Sequence, residues 1–308
     1  MKSLKSVMSV TLRSRFIIFE VVRRIMQFFF LIFLNSAIFG LSAIPLVLPI
    51  LLPSGLPYRI AGEALSAIQK MIYDSIFPLL PLASIILFSV LTGRALCGWV
   101  CPMGLIQDIL AAGETRKFVI SPKTHKSLIG LKYFILGLIL LISVSLSLAQ
   151  LSVAGRVYRE MLGLFAQAPF NVLSPSDTLF AALPRLLSAI LISISLGFEY
   201  LTITPLLIIR LVILIAILFL AVRIPRAWCR YVCPQGAFSA LISRFSLLGL
   251  RRDIVRCRKV GCRMCEEKCP MNVPILKLSA EKITDPECIY CLRCIAACPV
   301  KAIKPKFP

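Results

Sequence analysis

Residues 94–104 read RALCGWVCPMG, and residues 226–236 read RAWCRYVCPQG. Seven of the eleven positions are identical, and Trp99 and Tyr231 are aromatic residues at the same position of the two copies. Each copy contains a C-x3-C-P motif that follows a long apolar stretch. An internal repeat of this kind predicts two similar halves, in which the cysteine pairs occupy equivalent places.

The composition predicts a polytopic α-helical membrane protein. Of the 308 residues, 58% are hydrophobic and 16% are charged, whereas soluble domains are about a quarter charged. Apolar runs of about 20 residues recur, and a membrane-spanning helix needs about that length. The first run is too long for the apolar core of a cleaved signal peptide. The predicted spans are residues 25–52, 78–96, 127–149 and 203–222.

The basic residues predict that both cysteine pairs lie on the cytoplasmic side. The formal net charge is +21, and the lysines and arginines flank the apolar runs, as the positive-inside rule describes. This placement argues against nucleic acid as a partner. Two pairs on the same side of the membrane require an even number of crossings between them, but three apolar runs lie between the pairs. The run 179–198, interrupted by Pro184, is therefore predicted to re-enter the membrane or to lie against its outer face. The alternative is five spans with the pairs on opposite sides.

The polar tail holds eight cysteines in two runs. Residues 288–299 read CIYCLRCIAACP, the C-x2-C-x2-C-x3-C-P spacing of bacterial two-cluster ferredoxins, in which the fourth cysteine binds the other cluster. The first run is C-x4-C-x2-C-x3-C-P, two residues longer before its second cysteine. Two [4Fe–4S] clusters are therefore predicted, with the ligands Cys257, Cys262, Cys265 and Cys298 for one and Cys288, Cys291, Cys294 and Cys269 for the other.

Other cysteine chemistries and cofactors fit the sequence less well. The dense C-x2-C spacing without a secreted, loop-rich composition disfavours disulfides, and zinc frameworks rarely show this spacing. His125 is the only histidine, which excludes a cytochrome b with paired histidine ligands. It is predicted to be a solvated residue of a basic loop. No C-x-x-C-H motif for haem attachment is present.

The chain therefore divides into four predicted segments. A basic cytoplasmic N-terminal segment precedes two membrane repeats, and an α+β ferredoxin-like domain in the cytoplasm follows them. The four segments are residues 1–24, 25–126, 127–250 and 251–308.

The four membrane cysteines, Cys97, Cys101, Cys229 and Cys233, are predicted to form one shared metal site, which could be a further iron–sulfur centre. A C-x3-C pair on a helix puts both thiols on one face, and the following proline disfavours helix at the second cysteine. Each pair is therefore expected at the C-terminal end of a span, where the partial negative charge disfavours free thiolates and a bound cation would relieve that cost. Two alternatives stay open: cysteines packed as small hydrophobic residues, or a redox-active dithiol.

Arg210 is a charge inside the last apolar run. Its side chain is expected to extend to the membrane interface, or else to bind a quinone head group or pair with an acid such as Glu199 or Asp177.

Two C-x3-C-P motifs, four predicted spans and an eight-cysteine tail together resemble the polyferredoxin-type membrane subunits of periplasmic nitrate reductase systems, the NapH type. The resemblance covers essentially the whole chain. It implies a non-catalytic electron-transfer subunit of the inner membrane that works between the quinone pool and partner redox subunits, in contact with membrane lipid. An accessory factor that reduces or delivers metal during assembly of another redox enzyme is the alternative, and a structural anchor for a soluble reductase is a third.

Overall fold

The computed structural model is mostly helical, with few strands. The described residues are 2–34, 46–52, 61–112, 120–149, 152–162, 170, 174–196, 205–260 and 262–307. The elements of the first half are α1 Lys2–Leu34, β1 Leu46–Leu48, β2 Ala61–Glu63, α2 Ala64–Tyr73, α3 Leu79–Thr92, α4 Ala95–Trp99 and α5 Pro102–Leu110.

The second half ends with the same series as the first, an apolar helix, a five-residue helix and a helix that begins at a proline. Its elements are α6 Pro122–Leu148, α7 Val153–Leu162, α8 Pro175–Asp177, a π-helical turn Thr178–Ala182, α9 Leu183–Leu196, α10 Pro205–Arg223, α11 Ala227–Tyr231 and α12 Pro234–Ser243. The start of α6 is encoded locally: Pro122 is its first residue, and the Ser121 hydroxyl accepts a hydrogen bond from the Thr124 N–H at 3.3 Å.

Two helices in the described ranges are long and apolar enough to cross a membrane. They are Lys123–Leu148 and Pro205–Arg223, with mean hydropathies of 2.2 and 3.0. In the helix Pro205–Arg223, only 11% of the most apolar 18-residue segment is buried, and Phe219 is 66% exposed. A largely exposed apolar surface of this kind is unusual for a monomeric soluble protein. These helices coincide with the predicted spans 127–149 and 203–222.

The other two predicted spans are not confirmed. Helix α3 is apolar but has only 14 residues, because Gly93 ends it with a φ of 62°, a left-handed conformation that glycine adopts readily. In the run 25–52, helix α1 extends to Leu34, whereas residues 46–48 form β1, which pairs in parallel with β2. A single helix over the whole run is therefore wrong, since the run combines a helix with a buried strand.

The run 179–198 is helical as far as it is described, from the π-helical turn through α9. Pro184 follows directly on the π-helical turn, so the helix continues through the proline but is irregular immediately before it. The expected interruption at Pro184 is therefore a distortion and not an end of the helix, and the topology of this run stays a prediction.

The internal repeat is present in the fold. Helices α4 and α11 have five residues each and occupy matching positions of the two copies. Cys101 and Cys233 precede α5 and α12 with nearly the same backbone angles, φ −62° and ψ 119° against φ −60° and ψ 110°. The proline after each of these cysteines begins the second helix, so the predicted break at the second cysteine is confirmed.

The tail begins with a strand that pairs with its last one. Its elements are β3 Gly249–Arg252, α13 Ile254–Val260, α14 Met264–Glu267, α15 Arg293–Ala297 and β4 Ile303–Lys306. Strands β3 and β4 are antiparallel, and Leu250 also bridges to Ile283. A small core of Met271, Val273, Ile275 and Ile289 lies beside the cysteines. The predicted ferredoxin-like classification of this domain stays a prediction.

Candidate functional site

The structure brings the four membrane cysteines into one buried cluster, here called the cysteine quartet. Cys97 and Cys229 lie on α4 and α11, and all four residues are at most 9% exposed. Burial, followed by the neighbouring Cys229 and Cys97, raises the pKa of Cys101 to about 12. Burial and then the other three thiols raise the pKa of Cys233 in the same way. The two pairs are therefore close enough to act on each other electrostatically, as the repeat predicts.

The second cysteine of each pair lies at a helix N-terminus, not at a C-terminus. Cys101 and Cys233 are the N-cap residues of α5 and α12, and the Gly236 N–H donates to the Cys233 Sγ at 3.2 Å. The expected position at the end of a span is wrong for these two residues, because each short helix is broken and restarted at the proline. A helix N-terminus favours a thiolate, so the electrostatic argument for these thiols is reversed.

Gln107 adds a polar contact to the quartet. Its side-chain amide donates to the Cys229 Sγ at 3.2 Å, and its Oε1 accepts from the Trp228 N–H at 3.1 Å. Gln107 belongs to α5 of the first half, and both of these contacts are to the second half of the repeat. A donor to a cysteine sulfur is the kind of contact that tunes a thiolate-bound metal centre.

The arginines of the two copies each reach into the opposite half. The Arg226 Nη1 donates to the Cys97 carbonyl at 2.8 Å, and the Arg94 Nη2 donates to the Cys229 carbonyl at 3.4 Å. Both side chains are at most 1% exposed. The shared glycines make room for them: a Cβ on Gly236 would lie 2.7 Å from the Arg94 Nη2, and one on Gly104 would lie 3.2 Å from the Arg226 Nη2. Sequence reasoning noted these residues in the repeat but assigned them no role.

Asp108 is the centre of a buried ion-pair network. It contacts Arg226 at 3.1 and 2.5 Å, Arg23 at 3.0 Å and Arg293 at 3.4 Å. Glu20 on α1 adds bonds of 2.6 and 2.8 Å to Arg293 of the tail. Burial alone would raise the pKa of Asp108, but the Arg226, Arg293 and Arg23 charges hold it well below its usual range. The network joins α1, both repeat motifs and the tail.

A second network surrounds Glu287 of the tail. Its carboxylate pairs with Arg94 at 3.1 Å and with Lys132, and it accepts a bond from the Tyr133 hydroxyl at 3.3 Å. Arg94 also donates to the Pro286 carbonyl at 3.1 Å. Burial would raise the pKa of Glu287, but Arg94 and Lys132 lower it. The arginine of each repeat copy is therefore linked to the tail by its own ion-pair network.

The tail contacts the first repeat copy at a glycine. A Cβ on Gly98 would lie 2.4 Å from the Ile289 carbonyl oxygen and 3.5 Å from the Cys291 nitrogen. The adjacent Trp99 Nε1 donates to the Tyr290 carbonyl at 3.0 Å. The backbone beside Cys97 therefore lies directly against the loop that carries Cys291. In the second copy the residue equivalent to Gly98 is Arg230.

The structure also brings together four cysteines of the tail. Cys269, Cys288 and Cys291 lie close enough to Cys294 to raise its pKa beyond the increase caused by burial. Burial, followed by Cys291, raises the pKa of Cys269 to about 11, and the Val273 N–H donates to the Cys269 Sγ at 3.4 Å. This group is the predicted set in which Cys269 joins the second run. The set offers four sulfurs, one of which accepts an N–H donor, and such a set fits an iron–sulfur cluster.

Three residues of the other predicted set, Cys257, Cys262 and Cys265, lie on or between α13 and α14, and the fourth, Cys298, follows α15. Burial and then Glu266 raise the pKa of Cys265 to about 11, with smaller effects from Cys257 and Cys262. Cys298 is 7% exposed, and its Sγ accepts from the Ala302 N–H at 3.3 Å. Across the described ranges, no three cysteine, histidine or acidic side chains are grouped as ligands of a single metal ion. A four-iron cluster binds each thiolate at a different iron, so its ligands stand farther apart than those of one ion.

Two further polar residues have partners that decide between the sequence interpretations. The Arg210 Nη2 lies 3.0 Å from the Asp177 Oδ2, so the acidic partner expected as one alternative is present. His125 lies in α6, and its Nδ1 lies 2.9 Å from the Tyr231 hydroxyl. The prediction of a solvated loop histidine is therefore wrong, because the aromatic residue of the second repeat copy contacts its ring.

A family model described as a 4Fe-4S binding domain matches the chain twice, over residues 75–123 and 206–254. Each match contains one C-x3-C-P pair. The chain is 30% identical over 226 residues to the "Putative electron transport protein YccM" of Escherichia coli, covering 72% of this chain and 53% of that protein. It is 28% identical to the "Ferredoxin-type protein NapH" of Haemophilus influenzae, covering 86% of this chain and 76% of that one.

An uncharacterized protein of Methanocaldococcus jannaschii is 29% identical, over 69% of this chain and 64% of its own length. The chain thus spans between half and two thirds of two of these relatives. No solved structure matches the chain. The two domain matches and the named relatives show that the chain resembles the NapH-like polyferredoxins, iron–sulfur proteins of electron transport.

Proposed function

We propose that this protein is a membrane-bound electron-transfer subunit that relays electrons between the quinone pool and partner redox subunits. It would lie in the inner, cytoplasmic membrane with its tail in the cytoplasm. The two long apolar helices, with their mostly exposed surfaces, support the membrane location. The flanking basic residues support the orientation. The relatives named for electron transport support the role.

The tail would hold two [4Fe–4S] clusters, which accept and release single electrons. The outer cluster site is Cys257, Cys262, Cys265 and Cys298, and the inner cluster site is Cys288, Cys291, Cys294 and Cys269. The cysteine quartet, Cys97, Cys101, Cys229 and Cys233, would hold a further iron–sulfur centre, since the described residues group no three such side chains around a single metal ion.

The contact between Gly98 and the loop 289–291 is the observation that carries this proposal. It sets the backbone of the quartet against the backbone of the inner cluster site with no side chain between them. Electrons from the membrane would therefore pass from the quartet to the inner site and then to the outer site. The two ion-pair networks would hold the tail in this position, since each joins a repeat arginine to a tail residue.

Quinol-driven reduction of the clusters tests the proposal. The full chain in lipid nanodiscs is mixed anaerobically with a reduced quinol, and cluster absorbance is followed. Bleaching by quinol is expected, and replacement of Cys97 and Cys229 by serine should abolish it while dithionite still bleaches the tail clusters. The iron content of this serine variant is also measured, because loss of the quartet centre should leave the tail irons in place.

Two results would contradict the proposal. Bleaching by dithionite but never by quinol would remove the link to the quinone pool. Transfer of metal to another protein without any dependence on quinol would favour the accessory factor for assembly of another redox enzyme.

A further inference from the structure

The tail carries a second surface that the proposed relay does not use. A cavity of about 450 Å³ opens where β3 ends, α13 begins and β4 starts. This surface, here called the basic groove, is lined among others by Arg251, Asp253, Arg256, Lys301, Ala302 and Lys304.

The floor of the basic groove contacts the outer cluster site. The Ala302 N–H, at the floor, donates to the Cys298 Sγ at 3.3 Å. The Cys257 N–H donates to the carbonyl of Asp253, another lining residue, at 3.1 Å. Two of the four proposed ligands of the outer site are therefore bonded directly to groove residues. A molecule seated in the groove would be separated from that site by little more than one residue.

The charge of the basic groove is strongly positive. Arg251, Arg256, Lys301 and Lys304 are all exposed at its rim. With Arg252 the lining has five basic residues against two acidic ones, Asp253 and Glu281. One acid is already engaged, because Asp253 pairs with Arg256 at 3.2 Å. The rim thus keeps an excess of positive charge for a negative partner.

Apolar side chains lie beside these charges. Ile254 is 43% exposed and Val255 is 66% exposed. Protein–protein interfaces combine such apolar contacts with arginine-rich polar rims.

The basic groove lies at the end of β3 that is remote from the repeat. The Leu247 N–H donates to the Val90 carbonyl at 2.7 Å and the Leu248 N–H to the Leu91 carbonyl at 3.3 Å, which fixes the start of the strand against α3. Four residues farther along, Arg252 lies roughly 14 Å away, since a strand rises about 3.4 Å per residue. A large partner could therefore reach the groove without meeting the apolar helices.

We infer that the basic groove docks a small acidic one-electron carrier protein, such as an acidic ferredoxin, which exchanges electrons with the outer cluster site. This inference rests on the proposed function and names the chemistry of the soluble partner. In the step itself, one electron leaves the reduced outer site and reduces the carrier, or moves in reverse, and no bond forms or breaks. The concave shape fits a convex protein surface better than a flat lipid surface.

Binding of an acidic plant-type [2Fe–2S] ferredoxin to the full chain in neutral-lipid nanodiscs tests the inference. Dissociation constants are measured at low and at near-physiological ionic strength. The test variant reverses the four rim charges: Arg251→Glu, Arg256→Glu, Lys301→Glu and Lys304→Glu. The control makes the same change in net charge at exposed residues away from the groove: Arg15→Glu, Lys123→Glu, Lys126→Glu and Lys277→Glu.

The wild-type protein should bind more weakly as salt rises, because opposed charges are screened over about 10 Å at 0.1 M salt. The groove variant should bind at least tenfold more weakly at low salt and lose most of its salt dependence, whereas the control should stay within about threefold of wild type. Equal losses in both variants would reduce the effect to net charge and overturn the inference. So would unchanged binding in the groove variant.

Two additional measurements separate the possible failures. If the groove variant instead loses binding to phosphatidylserine vesicles while its ferredoxin affinity is unchanged, the groove is a lipid surface and the inference is wrong. Quinol-driven bleaching of the clusters is recorded for each variant. Normal bleaching with unaltered ferredoxin binding refutes the docking site alone, whereas absent bleaching in the wild type refutes the relay.

Discussion

Replacing Asp108 by asparagine should destabilise the protein far more than the loss of one ordinary ion pair. The Asp108 side chain is 1% exposed, and its carboxylate contacts three arginines at distances between 2.5 and 3.4 Å. Asparagine keeps the shape but not the charge. Because arginine stays protonated in proteins, Arg226 would then lose its carboxylate partner, whereas Arg23 and Arg293 would keep the pairs with Glu20 that the described part of the chain shows.

The expected magnitude follows from the burial. Removing one partner of a buried ion pair costs about 3–5 kcal/mol, because the remaining charges are left uncompensated. For a protein of roughly this size each kcal/mol lowers the midpoint of thermal unfolding by about 2–4 °C, so a decrease of roughly 6–20 °C is expected. The tail should also be held less tightly against the repeat, since Arg293 loses its contact with Asp108 and keeps the one with Glu20.

Thermal unfolding in detergent, followed by circular dichroism, measures the effect. Asp253→Asn is the matched control, because Asp253 is 43% exposed and pairs with the exposed Arg256 at 3.2 Å. An exposed pair contributes at most about 1 kcal/mol, so the control should shift the midpoint by less than about 4 °C. Similar shifts in the two variants would refute the assignment of Asp108 as the centre of a buried network.

Three other outcomes are expected. Gly98→Ala should slow quinol-driven reduction of the tail clusters without loss of iron, because the new Cβ would lie 2.4 Å from the Ile289 carbonyl oxygen. Gly130→Ala is the control, since nothing lies within 4 Å of its new Cβ, and its reduction rate should be unchanged. Equal rates in the two variants would count against the contact between Gly98 and the loop 289–291. The free energy of unfolding should decrease as the pH falls below about 4, because the pKa of Asp108 is lower in the folded than in the unfolded protein and its charged form stabilises the fold in full only above the unfolded pKa. Asp108→Asn should reduce this decrease when thermal melts are recorded at acid pH. Arg210→Ala should lower the midpoint of thermal unfolding more than Asp253→Asn does, because the Asp177 side chain is 9% exposed and loses the guanidinium 3.0 Å away; equal shifts in the two variants would contradict this.

The sequence was sufficient to predict what depends on periodicity and spacing. The repeat, the apolar helices at 127–149 and 203–222 and the grouping of Cys269 with the second cysteine run follow from patterns that are local or strictly repeated. The helix break at Cys101 followed from Pro102 alone. These features share one property: a single residue type at a fixed spacing is enough to determine them.

What could not be predicted depends on contacts between distant segments. Arg23 reads as a flanking charge of the first apolar run, yet it is fully buried against Asp108 on another helix. Glu287 belongs to no motif of the tail, yet it joins Arg94 and Lys132. In both cases the partner is more than 80 positions away in the chain, and no periodicity connects the two. From the sequence, the arginines and glycines shared by the two repeat copies are the sole sign that Arg94 and Arg226, the partners in these networks, make structural contacts.

The repeat also explains how a nearly symmetric membrane part can hold an asymmetric tail. The two copies share the arginine, both cysteines, the proline and the final glycine, which build the quartet and the exchanged arginine contacts. Among the four positions at which they differ is the one directly after the first cysteine, where the first copy has Gly98 and the second has Arg230. The glycine permits backbone contact with Ile289, whereas Arg230 fills the equivalent place with a side chain that packs over the Tyr231 ring. This difference therefore favours the first half of the repeat as the one that receives the inner cluster loop, and exchanging the two residues should disrupt tail docking while leaving the quartet intact.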